Sequence, residues 1–423
     1  MGTAITVSAA VFLILASVYV LTLILNDVRA TAIAQRGTEA ERELFQARIA
    51  DIRDHRTFER EKNEFSWNGH RKFEVYRKVE EGGSIFSFYL RPHDKKSLPP
   101  FEPGQFLTFR LDFPGETKPV IRCYSLSDSA KPDYYRVSIK KLPPPRDRPE
   151  LPPGKSSSYF HDQVQEGDIL DVKAPGGHFY VDMTKHTPVV LIGGGVGVTP
   201  VLSMLNAIVA SGSQRETWFF LGVRNGKEHI MKEHLERVAR ENANVHLHVC
   251  YSNPADKDKP GEDYHHAERV GVDLFKTLLP SNNYSYYFCG PPPMMNALAE
   301  GLEAWGVPEK NIHYEAFGPA TVKKLKKAAP PPAADASAAA IEVTFVKSGK
   351  TIAWESDAGS LLDFAEAHGV SIDSGCRAGN CGTCITAVQG GSVDYVTEPG
   401  EMPEAGSCLT CISVPKENLK LDA

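Results

Sequence analysis

The chain is 423 residues long, 42% hydrophobic and 24% charged, with a formal net charge of -6. That length exceeds one ordinary core, so two to four domains are expected, and the negative balance, with no long basic stretch, argues against a nucleic-acid binder. Eight cysteines in so long a chain are no disulfide framework; the scattered thiols Cys123, Cys250, Cys289 and Cys408 fit a reducing compartment, where buried cysteine behaves as a small apolar residue.

The run AITVSAAVFLILASVYVLTLIL, Ala4 to Leu25, carries no charge and matches the ~20 residues needed to cross the hydrocarbon core of a bilayer. A cleaved signal peptide would want a positive n-region, a shorter apolar core and a small-residue cleavage site. Here no Lys or Arg precedes the run, while Arg29 and Arg36 follow it. The positive-inside bias then puts the amino terminus outside and everything after Asp27 in the cytoplasm. The expectation is a single-pass anchor over residues 1–27 in the cell inner membrane. Residues 28–66 read as a helical stalk, with Leu44, Phe45, Ile49 and Ile52 forming a narrow apolar stripe. A solvated spacer and a docking helix fit that stripe equally well.

From Trp67 the pattern changes to short alternating stretches, KFEVYRKV, SIFSFYL, QFLTFRLDF, YYRVSIKKL and DILDVKA, broken by Gly and Pro. Such a pattern predicts an antiparallel β-barrel over 67–185. At Val189 apolar strands (VVLIGG, TWFFLGV, VHLHVCY, SYYFCGP) begin to alternate with helical stretches, which predicts a parallel α/β domain over 186–320. Residues 321–340, rich in Ala and Pro, read as a tether. Residues 341–423 form a unit of about 80 residues, near the size below which small domains need a metal.

That last unit holds Cys376, Cys381 and Cys384 in the spacing C-x4-C-x2-C, with Cys411 following in SCLTC. The spacing is that of plant-type ferredoxins with a remote fourth ligand. Gly375, Gly379 and Gly382 are expected to let the loop curl, bringing backbone N–H groups onto the sulfurs. Structural zinc sites usually pair two short C-x2-4-C knuckles, which a four-residue gap does not supply. The unit resembles a plant-type [2Fe–2S] ferredoxin domain of β-grasp fold. The resemblance implies Cys376, Cys381, Cys384 and Cys411 as ligands, since the family's last ligand sits in a Leu-Thr-Cys context like that of Leu409 to Cys411.

In the barrel, IRCYSLSD carries Arg122, Tyr124 and Ser125. Tyrosine offers a flat apolar face, arginine a forked donor set for phosphate, and serine a hydroxyl. Then come SIKKL, with Ser138, Ile139 and Lys140, and GKSSSYF, with Gly154, Ser156 and Ser157. This succession resembles the ferredoxin–NADP reductase superfamily, and it implies that all nine residues contact a flavin whose pyrophosphate lies over a helix N-terminus. The third segment favours FAD over FMN. The insertion PPPRDRPELPP departs from the pattern.

VVLIGGGVGVTPVLSML is a buried strand, a glycine turn and a helix start. Gly193, Gly194, Gly195 and Gly197 permit a tight turn and close approach of a pyrophosphate favoured by the helix dipole. It is not the G-x-G-x-x-G fingerprint, but it resembles the superfamily's nicotinamide turn, with Thr199 and Pro200 in place. Cys289, Gly290 and Pro291 end a strand, where ligands of open α/β sheets bind. The resemblance sets Cys289 beside the carbon that gives up hydride. HYEAFGP resembles the end of the reductase part of bacterial flavohaemoglobins, implying that Phe317 covers the flavin and that Glu315 lies nearby. Arg224 could bind a 2′-phosphate, so NADH and NADPH both stay open, with NADH favoured by the resemblance. His265 and His266 read as solvated loop histidines.

The fold class expected is therefore multidomain: a transmembrane helix, an antiparallel FAD barrel, an α/β NAD(P) domain, a tether and a β-grasp ferredoxin. The order resembles the phthalate-dioxygenase-reductase type. It implies an NAD(P)H-dependent oxidoreductase with FAD and a [2Fe–2S] cluster, with Ser125, Cys289, Glu315 and Phe317 at the reacting centre. The electron acceptor expected is a redox partner protein in the membrane, such as an oxygenase, desaturase or hydroxylase. A subunit of a respiratory complex and a redox-sensing regulator are the other classes that the sequence allows.

Overall fold

A computed structural model describes residues 15, 17–27, 42, 45–46, 49–50, 52–116, 119–144, 148–317, 341–355, 358–379, 381–396, 399 and 402–423. It divides into two units, Met1–Glu61 and Lys62–Ala423. In the first, residues 17–27 are helical, and Val18, Tyr19, Leu21 and Ile24 are all exposed. Among the described residues no helix is long and apolar enough to cross a membrane. Residues 1–14 and 16 of the expected anchor, most of the 28–48 part of the stalk and the whole 321–340 tether lie outside the described residues.

The larger unit begins with a six-stranded antiparallel sheet, made of β1 (Arg71–Gly82), β2 (Ile85–Pro92), β3 (Phe106–Leu111), β4 (Val120–Ser125), β5 (Tyr135–Lys140) and β6 (Ile169–Val172) in the order β4-β3-β6-β1-β2-β5. Alternation sends Phe73, Val75, Phe88, Leu90, Phe109 and Val137 to a common interior. A bridge between Leu126 and Val137 joins the two end strands, so the sheet closes as the expected barrel. Helix α1 (Lys155–Asp162) caps it, with Phe160 wedged edge-on between Phe88, Phe109 and Tyr124.

Next comes a five-stranded parallel sheet of β7 (Val189–Gly194), β8 (Thr217–Val223), β9 (Val245–Tyr251), β10 (Ser285–Cys289) and β11 (Ile312–Glu315), ordered β11-β10-β7-β8-β9. Every residue of β7 is buried, as a central strand covered on both faces requires. On one face Leu191, Phe219 and Leu221 meet α2 (Val198–Ala210) and α3 (Lys232–Glu241). On the other, Val190, Phe220 and Phe288 meet α4 (Val272–Leu278) and α5 (Pro292–Ala304). This is a three-layer, doubly wound domain.

The carboxy-terminal sheet runs β13-β12-β18-β14-β16, from β12 (Glu342–Phe345), β13 (Lys350–Ala353), β14 (Ile385–Gly390), β16 (Ser407–Leu409) and β18 (Leu419–Leu421), and β15 (Val393–Tyr395) pairs separately with β17 (Ser413–Pro415). Its helix α6 (Leu361–Ala367) starts at a reciprocal cap, Ser360 bonding the Asp363 N–H and the Asp363 carboxylate accepting from the Ser360 N–H. Its apolar side packs Leu361, Phe364 and Ala365 on Val343, Phe345 and Leu419.

Candidate functional site

The carboxyl ends of β7, β10 and β11 come level because Cys289 pairs with Gly193 on one side and with Glu315 on the other. A Cβ built on Gly197, in the turn after β7, would lie 2.3 Å from the Cys289 carbonyl oxygen. Only glycine lets the turn approach that closely. Gly194 is as confined, since a Cβ there would meet Met294 Sδ at 2.6 Å and Pro291 Cδ at 2.9 Å. Gly195 has φ +56 and open space around it, so its role is the left-handed turn itself. Thr199 donates its hydroxyl to the Val196 carbonyl at 3.0 Å, locking the turn, and Pro200 is buried behind it. The result is a bare backbone cradle at a helix start, which suits a dinucleotide phosphate.

Above this cradle lie Cys289 and Glu315, both buried. Burial raises the Glu315 carboxyl to about 8, opposed by a hydrogen bond from Ser125 Oγ at 3.5 Å. Burial and the adjacent Glu315 push the Cys289 thiol well up. Both groups are therefore neutral near pH 7, leaving the pocket uncharged. Phe317, two residues on, is 45% exposed. Gly290 and Pro291 continue from Cys289 into α5, while exposed Arg224 follows the end of β8.

Ser125 is the last residue of β4, so the barrel strand reaches the nucleotide sheet directly. On the same strand Arg122 is exposed, its guanidinium donating to the Ile121 carbonyl. Tyr124 is half-buried, its ring edge-on to Phe109 and Phe160. Ser156, in the first turn of α1, is buried with no hydrogen-bond partner for its hydroxyl, whereas Ser157 bonds the Leu142 N–H and the Gly154 carbonyl. A buried unpaired hydroxyl at a helix start, with no acidic residue in that first turn, fits a flavin phosphate. The Ser138 hydroxyl has partners within the protein. It bonds Ser87 at 2.7 Å and Ser127 at 2.8 Å on the outer face of the sheet, opposite Val137 and Ile139, which belong to the core. Farther along that segment Lys140 is half-buried and Leu142 is exposed.

In the last unit the thiols fall into two pairs. Cys376 and Cys381 each accept the other's backbone N–H at 3.3 Å, and the Ala378 N–H points at Cys376 at 3.4 Å. Cys384 and Cys411 have their sulfurs 3.1 Å apart, while Cys408 is buried in the apolar core. Among the described residues no three His, Cys, Asp or Glu side chains surround a single ion position. Two thiol pairs with N–H donors around them are instead the donor set for a two-iron centre. Gly379 and Gly382 have φ +75 and +69, as the curl demands. Gly375 serves differently, because its φ is ordinary and a Cβ there would meet Cys381 Sγ at 2.8 Å. Arg377 takes φ +54 and is held there by ion pairs to Asp363 and Glu366.

Two features escaped the sequence reading. Asp128 ties the barrel to the nucleotide domain: its carbonyl accepts from Ser203 at 2.7 Å and its carboxylate from Asn206 at 3.0 Å, with Arg136 beside it at 3.8 Å. Cys123, read as one of several scattered thiols, is in hydrogen-bond contact with both Cys376 and Cys381. The signal for the second was strand alternation, which turns residue 123 away from Arg122 and Tyr124.

Comparison with known proteins agrees with this geometry. Residues 72–180 match the oxidoreductase FAD-binding domain, 191–300 the oxidoreductase NAD-binding domain, and 344–416 the 2Fe-2S iron-sulfur cluster binding domain. A flavohemoprotein of Bacillus thuringiensis subsp. konkukian is 42% identical over 257 residues, covering 61% of this chain and 63% of that protein. A flavohemoprotein of Halalkalibacterium halodurans is 39% identical over 254 residues, covering 60% and 61%. The chain thus spans less than two thirds of these curated relatives. Among solved structures, the FAD/NAD binding domain of a nitric oxide dioxygenase from Vibrio cholerae is 29% identical with a TM-score of 0.52, covering 59% of this chain and all of that one. Phthalate dioxygenase reductase is 25% identical with a TM-score of 0.51 and covers 84% of this chain and 98% of its own, cluster domain included. The chain thus joins an oxidoreductase FAD-binding domain, an oxidoreductase NAD-binding domain and a 2Fe-2S iron-sulfur cluster binding domain, the combination expected for FAD, NAD(P)H and a [2Fe–2S] cluster.

Proposed function

We propose that this reductase delivers single electrons from NADH, through its cluster domain, to a membrane-bound partner protein, an oxygenase, desaturase or hydroxylase. The observation carrying this reading is strand β4. Its Ser125 end touches Glu315 beside Cys289, and two residues back Cys123 touches the cluster loop. One short strand therefore borders both the hydride-receiving and the electron-releasing sides. The likeness to phthalate dioxygenase reductase, whose structure is described as modular for electron transfer from pyridine nucleotides to [2Fe-2S], supports an oxygenase as acceptor.

FAD, when bound, takes one hydride carrying two electrons and gives up electrons singly, and a [2Fe–2S] centre takes one at a time. The chain's own residues then have these roles. Arg122, Lys140, Gly154, Ser156 and Ser157 hold the flavin phosphates, and Tyr124 and Phe317 flank the ring. Ser138 and Ile139 contribute backbone only. Gly193, Gly194, Gly195, Gly197, Thr199 and Pro200 cradle the dinucleotide, with Gly290 and Pro291 opposite and Arg224 at the 2′ position. Cys289, Glu315 and Ser125 line the reacting centre, with the buried Glu315 carboxyl raised by burial and hydrogen-bonded by Ser125. Cys376 with Cys381 holds one iron, and Cys384 with Cys411 the other. Positioning rather than acid–base chemistry does the catalysis.

The domain limits that go with this are 67–185, 186–320 and 341–423, joined by the 321–340 tether. Residues 1–27 anchor the protein in the inner membrane with the reductase domains cytoplasmic, which raises the effective concentration of a membrane partner. The test is an anaerobic titration of the purified full chain with NADH and then NADPH, followed by absorbance and EPR. Flavin bleaching followed by a reduced-cluster signal is expected. Colourless or zinc-loaded protein refutes the reading. Removing residues 1–27 should abolish turnover of the partner in membranes while leaving that titration unchanged.

A further inference from the structure

The cluster loop rests on the flavin strand through a few atoms. A Cβ built on Gly375 would lie 3.1 Å from Ile121 Cγ2, so loop backbone and β4 side chain are already in contact. Ile121, Cys123 and Ser125 share one face of β4, opposite Arg122 and Tyr124. From that face the Cys123 sulfur meets Thr108 Oγ1, its cross-strand neighbour, at 3.4 Å, and the sulfurs of Cys376 and Cys381. Among the eight cysteines it is the one outside the cluster domain that touches the cluster loop. Arg377, clamped by Asp363 and Glu366, stiffens the loop on its far side.

We propose that Cys123 is a positioning residue for electron transfer: its S–H, aimed at the Cys376 and Cys381 sulfurs, seats that half of the cluster on β4 and favours the cluster's reduced state. The physical reason is charge. Reduction adds one negative charge to a centre whose thiolates already carry several, and a donor hydrogen bond stabilises the more negative form. The same contact brings the cluster to the strand that carries Tyr124 and Ser125, about two residues or ~7 Å along. Nothing moves covalently; Cys123 keeps its proton and ligates no iron. This inference rests on the reading of FAD and [2Fe–2S] given above.

The test uses the full-length holoprotein with Cys123→Ala, Cys123→Ser and Ile121→Ala. Stopped-flow absorbance separates flavin reduction by NADH from cluster reduction, and EPR-monitored redox titration gives the cluster potential. In Cys123→Ala, flavin reduction should stay within twofold, while flavin-to-cluster transfer slows about tenfold. The cluster's reduction equilibrium should also fall about tenfold, or about 59 mV for a one-electron couple. Cys123→Ser, which keeps a donor, should recover most of both. Ile121→Ala should slow transfer without moving the potential. If Cys123→Ala does not load its cofactors, the serine and Ile121 variants decide the matter. Unchanged potential and transfer rate in the variants, with wild type reducing both centres normally, overturns the proposal. Failure of wild type to reduce either centre instead overturns the reading beneath it.

Discussion

Replacing Gly197 with alanine tests the nucleotide cradle most directly. The added methyl would lie 2.3 Å from the Cys289 carbonyl oxygen, 2.5 Å from its carbon and 2.7 Å from the Gly290 nitrogen. All three are backbone atoms at the end of a central strand, so no side chain can rotate away. Restoring ordinary contact near 3.4 Å means parting the turn from β10 by about 1 Å. Overpacking of this kind costs about 1–3 kcal/mol of stability. A shift of about 1 Å at a hydride-transfer site is enough to slow it about 100-fold. Stopped-flow reduction of the flavin by NADH should show that loss, with a lowered melting temperature for the nucleotide domain. The dithionite-reduced cluster should keep its EPR signal, because the cluster domain is built from other strands. Gly195→Ala makes the contrast. Nothing lies near its Cβ but φ is +56, so alanine there costs about 1–2 kcal/mol in backbone conformation without spreading the cradle. If Gly197→Ala reduced flavin at the wild-type rate and melted normally, the close-approach argument would be wrong.

Glu315 makes stability depend on pH. Its carboxyl rises from the ordinary 4.5 to about 8 on folding, so between those values the folded state holds a proton that the unfolded state has lost. Stability therefore falls as pH rises through that window, by about 3 kcal/mol between pH 5.5 and 8 at 1.36 kcal/mol per pH unit. Denaturant unfolding of Glu315→Gln should show this descent flattened, and an unchanged slope would refute the assignment. Ser156→Ala removes a buried hydroxyl that has no partner in the protein itself. The flavin-free protein should be no less stable, while flavin affinity, measured by fluorescence on release, should fall about fivefold for one lost hydrogen bond of about 1 kcal/mol.

The domain plan was legible because each domain has its own period: alternation in KFEVYRKV, unbroken apolar strands such as VVLIGG, and cysteine spacing in the tail. The roles of single residues were less so. Ser138 stands in a motif associated with flavin, and its hydroxyl joins Ser87 and Ser127 on the outer face of the sheet, a cross-strand cluster that only the pairing of β2 with β5 reveals. Gly375 reads like Gly379 and Gly382, but it is glycine for space and they are glycine for φ. Cys123 meets residues more than 250 positions away, a pairing that no local pattern encodes. Glu315 looks like any strand-end carboxylate until the parallel sheet sets it against Cys289 under the barrel.

The pairing of β14 with β16, Ile385 opposite Leu409 and Thr386 opposite Cys408, decides more than the shape of a hairpin. Cys384 immediately precedes β14 and Cys411 follows β16 in a short turn, so slipping that ladder by one position would slide the two sulfurs, now 3.1 Å apart, by about 3.4 Å past each other, and half of the metal centre would be strained. Colour in the carboxy-terminal domain is thus a proofreading signal: pigment is held firmly only in molecules whose last strands have found the correct partners, and a pale preparation reports misregistered chains as well as iron starvation.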